Sequence, residues 1–125
     1  MMASSIHSIT FDCTDPARLA AFWMAALGYM VEEGCVPDEE GAALVDPHSR
    51  GPRLLFEPTP EGKAVKNRLH LDLRPDDSMN ATVERLLSIG GRKVTAFDCE
   101  YGVWTVMQDP EGNEFCVERG LQDMR

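Results

Sequence analysis

"DPARLAAFWMAALG", residues 15–28, decides the fold once it is set beside "DSMNATVERLLSIG", residues 77–90. The first stretch opens on Asp15 as N-cap, places Pro16 at the first helical position and stops at Gly28. Between them Leu19, Phe22, Trp23, Ala26 and Leu27 fall at helical spacing and make one apolar stripe. The second stretch repeats the design, with Asp77 as cap, Met79, Val83, Leu86 and Leu87 as stripe and Gly90 as stop. Asp15 answers to Asp77 and Gly28 to Gly90, each 62 positions on.

The repeat extends outward from the helices. "SITFD" (8–12) lies over "HLDLR" (70–74), so Ser8 corresponds to His70, Ile9 to Leu71 and Phe11 to Leu73. Further on, "DPHSRGPRLLFE" (46–57) lies over "DPEGNEFCVERG" (109–120) at an offset of 63. Each half therefore reads as strand, helix and about three strands, the last preceded by a turn that begins Asp-Pro. One amphipathic helix covers one face of such a sheet. Two units back to back leave the helices outside and an open trough inside. In "RLHLDL", Leu69, Leu71 and Leu73 are expected against the helix, with Arg68, His70 and Asp72 facing the trough.

Composition narrows the function classes. The 125-residue chain carries 21 acidic and 12 basic side chains, a net charge of −9. That balance opposes nucleic acid or an anionic membrane as a partner. No apolar run approaches membrane-spanning length, and "MMASSIHSITFDC" turns polar too soon for a signal peptide. Cys13, Cys35, Cys99 and Cys116 form no C-x-x-C pair, which predicts reduced thiols in a cytoplasm rather than a zinc knuckle. No nucleophile elbow or phosphate-binding glycine loop is present. The acidic loop Asp38-Glu39-Glu40 lacks the alternating oxygen donors of a calcium loop.

Several side chains invite a chemical role. Arg68, His70 and Asp72 on one strand face offer an anion contact and an imidazole with an orienting carboxylate, so His70 and Asp72 are the candidate acid–base pair. The plainer alternative is a polar wall whose charges satisfy one another. Phe115 and Val117 alternate with Glu114, Cys116 and Glu118, which places Cys116 between two carboxylates. Its thiolate is disfavoured there, so Cys116 reads as a small wall residue rather than a nucleophile. Trp104 lies on a strand, either as packing or as a stacking platform facing the trough. Lys63, Lys66 and Arg68 form the one cationic cluster, at the trough mouth or on a solvated loop. His7 alternates away from the trough and His48 sits in a turn.

With its doubled βαβββ plan, "DPARLAAFW…LGY", "HLDL" and "DPEGNEF", the chain resembles the glyoxalase/bleomycin-resistance/extradiol-dioxygenase (vicinal oxygen chelate, VOC) superfamily. "FDCTDPARLAAFW", "GPRLLFE", "KNRLHLDL" and "DPEGNEFCV" are similar to its uncharacterised actinobacterial glyoxalase-like domains. The resemblance implies an α+β fold: two tandem βαβββ modules, about 5–60 and 66–120, forming a curved mixed sheet with an internal cleft in one domain of 1–125. It also implies a homodimer. In metal-dependent members a divalent ion sits on His or Glu at four strand positions. Those positions correspond here to Ser8, His70, Arg53 or Leu55, and Cys116, of which only His70 keeps an ordinary ligand type.

The function expected is binding of a small, partly apolar organic ligand without that metal, with Arg68, His70, Asp72, Trp104, Cys116 and Glu118 as contacts. One alternative is a metal-dependent lyase, isomerase or dioxygenase that uses His70 and Cys116 and recruits Glu57 or Glu118. Another is an interaction module with a filled cleft.

Overall fold

The computed structural model describes residues 2–124. The chain forms two compact units, one up to Gly62 and the other from Lys63 onward. The first holds β1 (Ser8–Cys13), α1 (Pro16–Leu27), β2 (Met30–Val31), β3 (Ala42–Val45) and β4 (Arg53–Pro58). The second holds β5 (Leu71–Leu73), α2 (Met79–Ser88), β6 (Arg92–Cys99), β7 (Gly102–Gln108) and β8 (Glu114–Glu118), then a 3-10 turn at Leu121–Met124. Each unit makes its own four-stranded mixed sheet, in the orders β1-β4-β3-β2 and β5-β8-β7-β6. The first and last strands of each unit pair in parallel. The doubled βαβββ plan is therefore the architecture, carried by two sheets without a closed barrel.

Both cores follow from the stripe-on-sheet pattern. In the first unit Leu19, Phe22 and Trp23 of α1 are buried with Leu44, Leu54 and Phe56 of the sheet. Phe11 stacks on Phe56 with ring centroids 5.0 Å apart and meets Trp23 at 5.5 Å. In the second, Val83 and Leu86 of α2 are buried with Met107, Phe115 and Val117. Leu87, expected in that stripe, is 39% exposed at the stripe's edge.

Asp15 caps α1 by accepting from the Arg18 amide at 3.2 Å, and Gly28 closes it in the left-handed region at φ 69°. The cap of α2 lies one residue later than expected. Ser78 accepts from the Ala81 amide at 3.1 Å, while Asp77 instead takes Thr82 Oγ1 at 3.0 Å and Arg85 Nη1 at 2.8 Å. The serine hydroxyl is short enough to reach the helix amides, and Asp77 finds a better cationic partner on the next turns.

The Asp-Pro turns repeat in which amides they hold, those two and four residues on. Asp46 carboxylate oxygens accept from the amides of His48 and Arg50, at 2.8 and 3.1 Å. Asp109 Oδ1 accepts from the amides two and four residues on, Glu111 and Asn113, at 2.9 and 3.0 Å. Each carboxylate fixes the turn that feeds the last strand of its sheet.

Strand β5 is shorter than its sequence pattern. It begins at Leu71, and Leu69, expected against the helix, is 71% exposed. The ladder to β8 pairs Leu71 with Phe115, Asp72 with Cys116 and Leu73 with Val117, so alternation is enforced only within those three residues.

Candidate functional site

Register decides which side chains share the face of the second sheet opposite α2. Thr105 and Met107 are buried, and Thr105 Oγ1 reaches Met79 Sδ of α2 at 3.6 Å, so the odd positions of β7 face the helix. Trp104 and Val106 consequently face the other way. Their ladder partners are Glu118 and Cys116, and Cys116 pairs onward with Asp72. On the opposite flank, Phe97 of β6 pairs with Trp104, and the two rings stack with centroids 5.0 Å apart and planes 23° from parallel. The open face thus reads from an aromatic pair, through Glu118 and Cys116, to Asp72 and His70.

His70, Asp72 and Cys116 form one cluster. Their Nε2 or Nδ1, carboxylate oxygen and Sγ atoms lie within 4.8 Å of one another, and His70 Nε2 is 3.3 Å from Asp72 Oδ1. Burial pushes the Cys116 thiol up to about 11; the charge of Asp72, a hydrogen bond to it and the charge of Glu118 act in the same direction, against Lys66. Cys116 is therefore a protonated thiol donor at neutral pH, not a nucleophile. The carboxylates responsible are Asp72 and Glu118. Glu114 is instead occupied by Lys63 Nζ at 2.7 Å and the Asn67 amide at 2.8 Å.

The remaining candidates fall elsewhere. Arg68 lies before β5 on an exposed segment, outside the ladder that fixes the cluster. Lys63 is spent on Glu114 and also donates to the Val65 carbonyl at 2.6 Å. His7 is exposed, with Nδ1 2.9 Å from Ser8 Oγ, and His48 is exposed in its turn. Glu57 is exposed at the end of β4.

The corresponding corner of the first unit carries different chemistry. Arg53 pairs in register with Ser8 and donates to Glu32 through Nε at 2.6 Å and Nη2 at 3.1 Å, while Nη1 reaches Ser8 Oγ at 2.9 Å. A guanidinium locked to a carboxylate repels a cation where its counterpart in the second unit offers a thiol. Glu32 and Phe97 escape sequence reading for separate reasons. Glu32 comes 21 residues before Arg53, with a loop between them. Phe97 follows a register shift between Lys93 and Thr95; carried without that bulge, the β6 ladder puts Ala96 opposite Trp104.

The divalent ion implied by the superfamily can be tested against these donors. One imidazole, one carboxylate and one thiol match zinc in type and reach the three protein ligands of an open site. A lone carboxylate does not match magnesium or manganese, which prefer oxygen-rich shells.

Two βαβββ units, each with a parallel first-and-last strand pair and a helix on one face, define an α+β class of doubled-module domain. Residues 8–118 match the family model described as "Glyoxalase-like domain", and the chain belongs to that family. The fold is similar to that of a glyoxalase/bleomycin resistance protein/dioxygenase family enzyme from Burkholderia phytofirmans PsJN. That likeness has a TM-score of 0.73 at 15% identity, over 94% of this chain and 99% of the other. It is also similar to the fosfomycin resistance protein FosX from Listeria monocytogenes, in a mutant complexed with Mn(II) and a dihydroxypropylphosphonic acid. There the TM-score is 0.75 at 13% identity, over 99% and 98% of the two chains. FosX from Mesorhizobium loti gives 0.70 at 17% identity, over 100% and 98%. At these identities the likeness is one of fold. No curated protein matches the sequence.

Proposed function

We propose that this glyoxalase-like domain binds a small, partly apolar organic molecule on the open face of its second sheet, without a resident metal. The observation that carries the reading is the Phe97–Trp104 stack beside the His70, Asp72 and Cys116 cluster on one sheet face. Aromatic rings offer apolar area with little entropy lost on binding, and the polar cluster fixes orientation. Cys116 adds a protonated thiol to that cluster. The His70–Asp72 pair can accept or return a proton at an imidazole nitrogen, which allows acid–base chemistry on a bound molecule. The working state proposed is a cytoplasmic homodimer, consistent with four free thiols.

Calorimetric titration with a panel of small aromatic and aliphatic molecules tests this. Binding to the wild type that weakens at least about tenfold in Trp104→Ala supports the reading. Panel binding indifferent to Trp104 overturns it.

The three-donor cluster favours one second reading. His70, Asp72 and Cys116 would hold a zinc-type ion, which would supply a Lewis acid for lyase or isomerase chemistry. Stoichiometric zinc in protein purified without chelator, lost in His70→Ala and Cys116→Ser, would establish that reading in place of the first.

A further inference from the structure

Resting on the organic-ligand reading above, we propose that the molecule taken by this face is a flat cation: an aromatic ring system bearing a protonated ring nitrogen, amine or amidine. The Phe97 and Trp104 rings stack on each other, so what they offer a ligand is a ring face turned away from the stack, and Phe97 is 44% exposed. Ring faces carry negative electrostatic potential and attract cations laid over them. Glu118 sits directly across the ladder from Trp104, and among the described residues its carboxylate has no hydrogen-bond or ion-pair partner. An ionised carboxylate beside an aromatic surface accepts charge-assisted hydrogen bonds from the N–H groups of a planar cation.

The surrounding charges point the same way. Asp72 adds a second carboxylate to the face, within reach of Cys116. Two of the nearby cations are engaged, while Lys66 and Arg68 are exposed on the segment before β5. Lys63 is held by Glu114, and Arg74 Nη1 donates to the Arg119 carbonyl at 2.7 Å. Lys66 acts on Glu114 and Cys116, on the strand row away from Phe97. A net charge of −9 on the whole chain adds long-range attraction for a cation and repulsion for an anion. A flat anion would meet the same rings but leave Glu118 and Asp72 facing like charge.

Three probes separate shape from charge: proflavine, a planar cation; anthracene carboxylate, a planar anion of similar ring size; and tetraethylammonium, a cation without a flat face. Each is titrated into the wild type, Glu118→Gln and Trp104→Ala at one ionic strength, with folding of each variant checked by circular dichroism. Proflavine is expected to bind at least about tenfold more tightly than the carboxylate, and Glu118→Gln to narrow that preference about fivefold. Trp104→Ala is expected to remove binding of both planar probes, and tetraethylammonium not to compete. Equal binding of the two planar probes, both lost in Trp104→Ala, overturns the cation assignment and leaves the organic-ligand reading standing. An unchanged preference in Glu118→Gln, or competition by tetraethylammonium, overturns the assignment as diffuse charge. Planar probes that bind as tightly to Trp104→Ala as to the wild type overturn both readings. Absence of proflavine binding overturns the cation assignment alone, the panel then deciding the other.

Discussion

Asp72 lies directly across from Cys116 in the parallel ladder of β5 and β8, with its carboxylate within 4.8 Å of the thiol sulfur. The pairing makes Cys116 a poor thiolate, since its pKa stands near 11 against an ordinary 9.0. Alkylation by iodoacetamide at about pH 8 should therefore label exposed Cys99 well before Cys116. Asp72→Asn removes a like charge and should speed Cys116 labelling, with Cys99 as the internal control in peptide mass spectra. Equal labelling of the two thiols in the wild type would contradict this.

The same group has a consequence for stability. The folded state holds the Cys116 proton more tightly than the unfolded chain does, so its contribution is complete below the unfolded value. It is lost as pH rises from 9.0 through about 11. Denaturant midpoints should fall across that alkaline window more steeply in the wild type than in Cys116→Ser.

The two phenylalanines Phe115 and Phe97 should behave oppositely. Phe115 is 1% exposed in the core of the second unit, and Phe115→Ala should cost about 3–5 kcal/mol. Phe97 lies on the open face, and Phe97→Ala should cost less than about 1 kcal/mol while weakening any stacked ligand. Urea denaturation of both variants measures the contrast. A large stability loss in Phe97→Ala would make the aromatic pair structural rather than a binding surface.

Asp109 is 1% exposed and holds two amides of its turn together with the Asn113 side chain. Asp109→Ala strands those donors and should destabilise by about 2–3 kcal/mol. Asp46→Ala, at the equivalent turn, should act in the same direction, because it holds the same pair of amides.

At the C-terminus the Asp123 carboxylate accepts from the amides of Met79 and Gly120, both at 2.7 Å, which pins the last turn to the start of α2. Those two bonds hold its pKa below the usual aspartate range. Its contribution is present above the unfolded value of 3.8 and is lost as pH falls through the folded one. Amide exchange at residues 120–124 should accelerate at acid pH, and Asp123→Ala should show the acid pattern at neutral pH.

How legible these features are in the sequence depends on how local their causes are. Asp15, Pro16 and Gly28 fix α1 within fourteen residues, and the structure keeps every one of them in place. The α2 cap slips by one because Asp77 and Ser78 both suit the role, and Thr82 and Arg85 on the following turns of the helix draw Asp77 away. Leu69 reads as core by alternation, yet the ladder that would enforce alternation starts at Leu71. His70 and Asp72 are legible as a pair from alternation, and Cys116 through the repeat. That Asp72 stands opposite Cys116, and that Phe97 lies on Trp104, depend on a parallel register and a bulge that residue spacing does not encode.

In the proposed function Trp104 is a binding surface, while Trp23, 1% exposed, is core. Protein labelled with fluorotryptophan gives one fluorine NMR signal for each. Titration with proflavine should shift the Trp104 signal, identified by its loss in Trp104→Phe, and leave Trp23 unmoved. A complex that forms with both signals unchanged, or with Trp23 alone shifting, would contradict it.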